Sequence, residues 1–346
     1  MLNVGVIGCG SIVRQRHAHE YALHPGVTIA GFFDLVPSRA AEMTERFGGK
    51  VYSSVDEMLA DSSIDAVSVC VANTLHAEIT IKALRAGKHV LCEKPMAVTE
   101  ADCEAMVAEA KKAGKRLLIG QNQRLNPAHK KAKEIIASGA MGRVLTFRTA
   151  FGHRGPESWS IDKGAHTWFF RKASAAFGSM ADLGIHKIDL MCYLIDSEIE
   201  SAFAIMKVLD KKLPDGSPIE VDDNSVEVLS FKNGATGTVT TSWTHYGEEC
   251  NETVLYCEKG IMKLYSDPKY SLKIVNADGT EVLYALDRMQ TNEDAQQASS
   301  GVIDEFVEAV TTGKESILDA SNILRSMRGV FACQKAAEEG RLITLA

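Results

Sequence analysis

Between Leu2 and Gly120, short apolar runs alternate with amphipathic stretches: LNVGVI, Ser11 to His24, VTIAGFF, Pro37 to Phe47, DAVSVCVA, and onward to HVLCE and RLLIG. A strand wetted on one face alternates apolar with polar residues, whereas one covered on both faces is apolar almost throughout. The runs here are of the second kind. Strands of that kind alternating with helices predict a parallel sheet sandwiched between helices. Thr99, with Asp102 three residues on, supplies a helix start after HVLCE.

After Arg143 the texture changes. VLTFRTAF, VEVLSF, TGTVTTSW and ETVLYC alternate, and turn signals such as Asn233-Gly234 and Asp278-Gly279 separate runs of this kind. They predict a mostly antiparallel sheet. Helices are expected over Ser179 to Ile195, Val302 to Thr312 and Asp319 to Glu339, whereas Gly152 to Gly178 has no clear period. An irregular stretch of that length in a compact domain is usually functional or disordered. At 346 residues the chain is long enough for two cores. The expected domains are 1–122 and 123–346, with the C-terminal helix able to pack back on the first.

Composition narrows the function classes. A hydrophobic fraction of 45% beside 24% charged residues and 8 prolines describes a folded globular protein. The formal charge of -7 argues against a nucleic-acid partner, which needs clustered Lys and Arg. No apolar run has the length of a membrane span, and the chain enters its first strand without a basic and apolar leader, so a cytoplasmic location is expected. Cys9, Cys70, Cys92, Cys103, Cys192, Cys250, Cys257 and Cys333 include no CxxC pair and read as reduced, buried thiols. His153, His166, His186 and His245 lack metal-ligand spacing, so no metal is expected.

Gly8-Cys9-Gly10 joins the first strand to a helix, the setting in which a backbone turn approaches a pyrophosphate at a helix N-terminus. Val13 stands where the third glycine of that pattern is usual. Asp34 ends the second strand, where its carboxylate can accept hydrogen bonds from the ribose hydroxyls of NAD and repel a 2′-phosphate. Arg39 leaves NADP open.

Glu93-Lys94-Pro95 ends the strand HVLCE, and the C-terminal ends of strands in open α/β sheets are where ligands lie. A partly desolvated Lys94 can hold a substrate oxygen and stabilise alkoxide character. Asp182 and His186 are four apart in a helical segment, which puts carboxylate and imidazole on one face. Histidine titrates near neutrality and can take or return a hydroxyl proton. An ordinary surface pair is the competing account of that spacing.

With these residues in view, the sequence resembles the glucose-fructose oxidoreductase and inositol dehydrogenase family, Gfo/Idh/MocA, over essentially the whole chain. The resemblance rests on VGVIGCGSI, GKHVLCEKPMA, GQNQRLNP from Gly120 to Pro127, and ADLGIHKIDL with Asp182, Gly184, His186 and Asp189. It implies an N-terminal Rossmann domain with a doubly wound parallel sheet, and a C-terminal α+β domain whose open, mostly antiparallel sheet forms homodimers or homotetramers. It also implies a catalytic set of Lys94, Asp182 and His186. The cofactor residues it implies are Gly8, Gly10, Ser11, Ile12, Asp34, Arg39, Asn73, His76, Glu93, Lys94 and Gln123; Arg124, His166 and Trp168 would meet substrate. Read from the residues alone, Asn73 is a helix cap.

The expected activity is NAD(P)-dependent interconversion of a hydroxyl and a carbonyl on a sugar, polyol or sugar derivative. Two alternatives remain: glycoside cleavage by transient oxidation with retained NAD, and a non-enzymatic sugar or dinucleotide sensor. Arg154, Lys163, Arg171 and Lys172 could bind a phosphate or carboxylate, or form a solvated basic loop.

Overall fold

A computed structural model of the chain describes residues 1–287 and 299–345. They form two compact units. The first comprises Met1–Asn122, Trp159–Ile161 and the described part of Gln290–Leu324; the second comprises Gln123–Ser158, Arg325–Ala346 and Asp162–Met289, each as far as it is described.

The first unit holds six parallel strands: β1 (Leu2–Ile7), β2 (Val27–Phe33), β3 (Lys50–Val51), β4 (Ala66–Val69), β5 (His89–Cys92) and β6 (Leu117–Ile119). Their spatial order is β3-β2-β1-β4-β5-β6, so the winding reverses between β1 and β4. Helices α1 (Ala18–Leu23), α2 (Pro37–Phe47), α3 (Val55–Ala60), α4 (His76–Arg85) and α5 (Glu100–Ala113) alternate with them, and a further helix, Val302–Thr312, belongs to this unit. Val4, Val6, Ile7, Val67, Val69, Val90, Leu91 and Leu118 are fully buried, as their unbroken apolar runs require. Thr99 caps α5 by accepting from the Asp102 N–H at 3.1 Å.

Two local departures follow from packing. The helix after the glycine turn opens with a π turn, Val13–His17, and Val13 is fully buried there. The wider turn is the structural counterpart of a valine where a glycine is usual. Asn73 does not cap α4: it is buried in a 3-10 turn, Asn73–Leu75, and the residue before α4 is Leu75, with no side-chain cap.

The second unit is built on a nine-stranded sheet. It contains β7 (Val144–Gly152), β8 (Ile199–Lys207), β9 (Asn224–Phe231), β10 (Thr236–Ser242), β11 (Thr253–Cys257), β12 (Gly260–Leu264), β13 (Leu272–Asn276), β14 (Glu281–Tyr284) and β15 (Ile343–Thr344). The order is β14-β13-β12-β11-β7-β10-β9-β8-β15, antiparallel throughout except where β10 runs parallel to β7. Its longer helices are α6 (Pro127–Ala137), α7 (Ile185–Ile195) and, from Arg325 on, α8 (Ala320–Glu339). Register places Ala204, Glu227, Val239, Thr149 and Thr253 in one row across one face, and Ile205, Val226, Thr240 and Ala150 in one row across the other. The first row is buried, whereas Ile205 and Val226 are exposed.

All eight cysteines are free; Cys192 and Cys250 are only half-buried, so the expectation of buried thiols fails at those two. No helix among the described residues is long and apolar enough to cross a membrane.

Glu227 is fully buried in the sheet of the second unit. Burial pushes its carboxyl up to about 8; the Ser225 hydroxyl opposes the shift and the Asp222 charge adds to it. An acid whose pKa is higher folded than unfolded contributes stability in full below the unfolded value, and that contribution is lost as pH rises through the folded value. Relative to wild type, Glu227→Gln should therefore gain in melting temperature as pH rises from about 5 to about 8, then hold level above about 9. Calorimetry at stepped pH values measures this; a constant difference across the range would show that Glu227 is not protonated in the folded core.

Candidate active site

In the first unit the glycine turn fits a dinucleotide. Gly8 adopts φ +93°, and a Cβ there would stand 2.3 Å from the Cys70 carbonyl oxygen, so only glycine lets the loops after β1 and β4 approach so closely. At Gly10 a Cβ would meet no described atom within 4 Å, which leaves that side of the turn open. Asp34 fixes the turn: one carboxylate oxygen accepts the Cys9 N–H at 2.7 Å and the other accepts the Val36 N–H at 2.8 Å. Each oxygen keeps a lone pair for a ribose hydroxyl. Ser11 and Ile12, half-buried, follow in the helix start, and Arg39 lies half-buried on α2.

Glu93 and Lys94 follow β5 and are both half-buried. His17 Nε2 is 2.8 Å from Glu93 Oε1, and the second carboxylate oxygen accepts the Lys94 N–H at 3.1 Å. Burial pushes the Glu93 carboxyl up, but the His17 hydrogen bond and charge, with Lys94 beside it, outweigh this and hold it below the usual carboxylate range. His76 is fully buried, with Nδ1 2.6 Å from the Pro95 carbonyl and Nε2 3.1 Å from that of Val71. Burial lowers its pKa. Its ring thus ties the turn after β4 to the Lys94-Pro95 loop, a bracing position that the sequence did not suggest.

In the second unit Asp182 and His186 are both buried. The segment expected as one regular helix opens with a π turn, Met180–Gly184, before α7, so Asp182 sits on a widened turn and His186 on the regular helix. The start of that segment is pinned by Asp222, which accepts from the Gly178 N–H at 2.7 Å, the Ser179 hydroxyl at 2.8 Å and the Met180 N–H at 2.9 Å. A Cβ on Gly178 would lie 1.8 Å from the Asp222 carbonyl oxygen. Asp182 Oδ2 accepts from Trp243 Nε1 at 3.1 Å and lies 3.8 Å from His153 Nε2. The Phe151 ring stands 6.0 Å from that of His186 and 5.8 Å from that of His153.

The expected substrate residues fare differently. Arg124 is buried and donates to Asp189 through Nε and Nη2, each at 2.7 Å, so its guanidinium fork is committed to a structural ion pair. The physical reason is that a charge this deep must be paired. His166 is exposed in a short turn, Gly164–His166. Trp168 is half-buried and stacks on Phe169 at 3.9 Å. Gln123 is buried, with Nε2 donating to Asn251 Oδ1 at 3.3 Å. Of the basic residues in the irregular stretch, Arg171 pairs with Glu220 and the Arg154 Nε donates to the Tyr246 carbonyl. His17, His153, Trp243 and Asp222 were not singled out as site residues from sequence; the tryptophan closing the run TGTVTTSW was the nearest available signal.

Known proteins place this arrangement. Residues 2–121 match the model of the oxidoreductase family with an NAD-binding Rossmann fold, and residues 129–263 match the GFO/IDH/MocA C-terminal domain. The chain is 28% identical to a myo-inositol 2-dehydrogenase of Thermotoga maritima over 99% of this chain and 98% of that protein. It is 32% identical to a levoglucosan dehydrogenase of Pseudarthrobacter phenanthrenivorans over 71% of this chain and 68% of that protein. Among solved structures, a levoglucosan dehydrogenase in complex with NADH and levoglucosan superposes with a TM-score of 0.86 at 26% identity, covering 99% of each chain. The chain thus belongs to the Gfo/Idh/MocA family of oxidoreductases, with an NAD-binding Rossmann domain followed by the family's C-terminal domain.

Proposed function

We propose that this protein is an NAD-dependent dehydrogenase or reductase that interconverts a secondary hydroxyl and a carbonyl on a cyclic sugar or polyol. The observation that carries the reading is a buried carboxylate and imidazole, Asp182 and His186, on one pinned helical segment of a chain whose other domain binds NAD. The relatives named for myo-inositol and levoglucosan support the substrate class.

Bound NAD supplies the hydride acceptor or donor. Lys94 is assigned to the substrate oxygen, where its ammonium stabilises negative charge as the hydroxyl loses its proton. His186 is assigned as the base that takes this proton, and Asp182 as the group that orients the hydroxyl. In the reducing direction the same imidazole returns the proton. Gly8, Gly10, Ser11 and Ile12 are assigned to the pyrophosphate and Asp34 to the adenosine ribose.

Myo-inositol, levoglucosan, methyl glucosides and free aldoses, each with NAD, should separate this function from its rivals. Formation of NADH with a cyclic polyol or sugar is expected, and NADP should bind about tenfold or more weakly than NAD because Asp34 repels its phosphate. No NADH from any of them, or tighter binding of NADP, would count against the proposal.

On the substrate so found, His186→Asn should lower kcat by about 10²- to 10⁴-fold with NADH binding intact. Lys94→Ala should likewise depress kcat far more than cofactor affinity. For oxidation, kcat/KM should rise with pH through an apparent pKa belonging to the coupled set, because the base must be unprotonated. Near-native turnover in His186→Asn with the same profile would move the base elsewhere.

The exposed face of the second unit's sheet, with Phe203, Ile205, Val226, Val228 and Leu283 on it, is assigned to a second copy of the chain. Val228→Glu should shift the protein to a smaller species in sedimentation velocity without loss of secondary structure. A monomeric wild type at micromolar concentration would refute the assignment.

A further inference from the structure

Asp182 is the carboxylate at the centre of the proposed chemistry, and the side chains around it include one with no assigned role. His153 follows β7, its N–H donating to the Ser242 carbonyl at 3.0 Å, and its side chain is nearly fully buried. Its Nδ1 accepts the Gly155 N–H at 2.9 Å. A ring nitrogen that accepts a hydrogen bond carries no proton, so the proton of the neutral ring belongs on Nε2. That Nε2 lies 3.8 Å from Asp182 Oδ2, the same oxygen to which Trp243 Nε1 donates at 3.1 Å. Two N–H groups are thus turned toward one edge of the carboxylate, one from the end of β7 and one from the end of β10.

We propose that His153 is a positioning residue for the reaction: with Trp243 it holds the Asp182 carboxylate ionised and fixed in orientation, through an Nε2–H set by the Gly155 contact. The proposal rests on the assignment of Asp182 to the active site but not on the identity of the substrate. At 3.8 Å the contact is longer than a direct hydrogen bond, and such contacts in catalytic groups commonly tighten when substrate is bound. The benefit is physical. A carboxylate buried at this depth is penalised by desolvation, and N–H groups directed at the charged form offset that penalty. The ionisable groups on the elements packed against this turn include Arg148 on β7 and His153 after it, Asp222 before β9, Glu227 on β9, His245 after β10, and His186, Lys187 and Asp189 on the helix itself. Burial raises the pKa of Asp222 and of Glu227, so neither favours a charged Asp182, whereas the His153 Nε2 faces its carboxylate.

Two substitutions divide the imidazole into its halves. His153→Asn keeps an acceptor where Nδ1 meets the Gly155 N–H and removes the group facing Asp182. His153→Gln places an amide N–H where Nε2 stands and removes the Nδ1 acceptor. The readout is the Trp243 indole ¹⁵N–¹H signal of protein labelled at tryptophan, identified by its absence in Trp243→Phe. That proton is donated to Asp182 and reports its charge.

In His153→Asn the Trp243 signal should titrate with a midpoint about one pH unit or more above that of wild type, and His153→Gln should bring it back toward the wild-type value. On a substrate found as above, kcat of His153→Asn should fall about tenfold with NADH affinity unchanged. A Trp243 signal that titrates identically in wild type and His153→Asn, or in neither, with both folded by circular dichroism, overturns the proposal whatever the substrate proves to be. Should the Asn variant fail to fold, the comparison runs among wild type, His153→Gln and His153→Leu. A midpoint unchanged in Gln but raised in His153→Leu supports the role of the N–H; equal midpoints in all three overturn it.

Discussion

Asp222 accepts three hydrogen bonds from Gly178, Ser179 and Met180, and the placement of both polar groups on the helix that follows depends on that anchorage. A helix N-terminus exposes N–H groups with no partner inside the helix, and here a carboxylate from the chain before β9 satisfies them in the interior. The backbones come so close that residue 178 has no room for a side chain. Ser179 extends the anchorage into the sheet, because its hydroxyl accepts from Thr241, which in turn meets Ser225. The sheet, the helix start and Asp182 are therefore one hydrogen-bonded construction, and Trp243 closes it from the end of β10.

The first unit uses the same device. Asp34 ties the end of β2 to the peptide N–H of Cys9, so the residue assigned to the ribose also shapes the glycine turn. Tyr21, Ser68, His17 and Glu93, the first three buried, form a hydrogen-bonded series that ends at the Lys94 N–H just past β5. In each unit, loops assigned to chemistry are braced by buried polar groups, which remain stable only because each is hydrogen-bonded.

Much of this was legible in the sequence, and the limits have physical causes. The unbroken apolar runs revealed the parallel sheet because covered strands leave no alternation, and the alternating runs after Arg143 revealed the second sheet. Asp34, Lys94, Asp182 and His186 could be singled out because each stands at a spacing tied to an element boundary or a helix turn. The pairing of Arg124 was not legible: the resemblance implies a substrate contact for it, and the buried Asp189 that takes its guanidinium fork lies 65 residues away in the chain. His153 and Asp222 were opaque for the same reason. Their partners lie 29 and about 40 residues away in the chain, a separation no local period records. The parallel pairing of β10 with β7 was also hidden, because alternation gives the face of a strand but not its direction.

Both π turns, Val13–His17 and Met180–Gly184, open helices that follow loops assigned to cofactor or substrate. A π turn carries one residue more than the α-helical turn it replaces, and its extra width takes up that residue without breaking the helix. Because the wider turn takes up that residue, removing it would restore an α-helical turn and redirect chiefly the side chains within the turn itself, Asp182 among them. The two stretches are thus places where the reading length of the gene, more than the identity of any one side chain, sets the direction in which polar groups point.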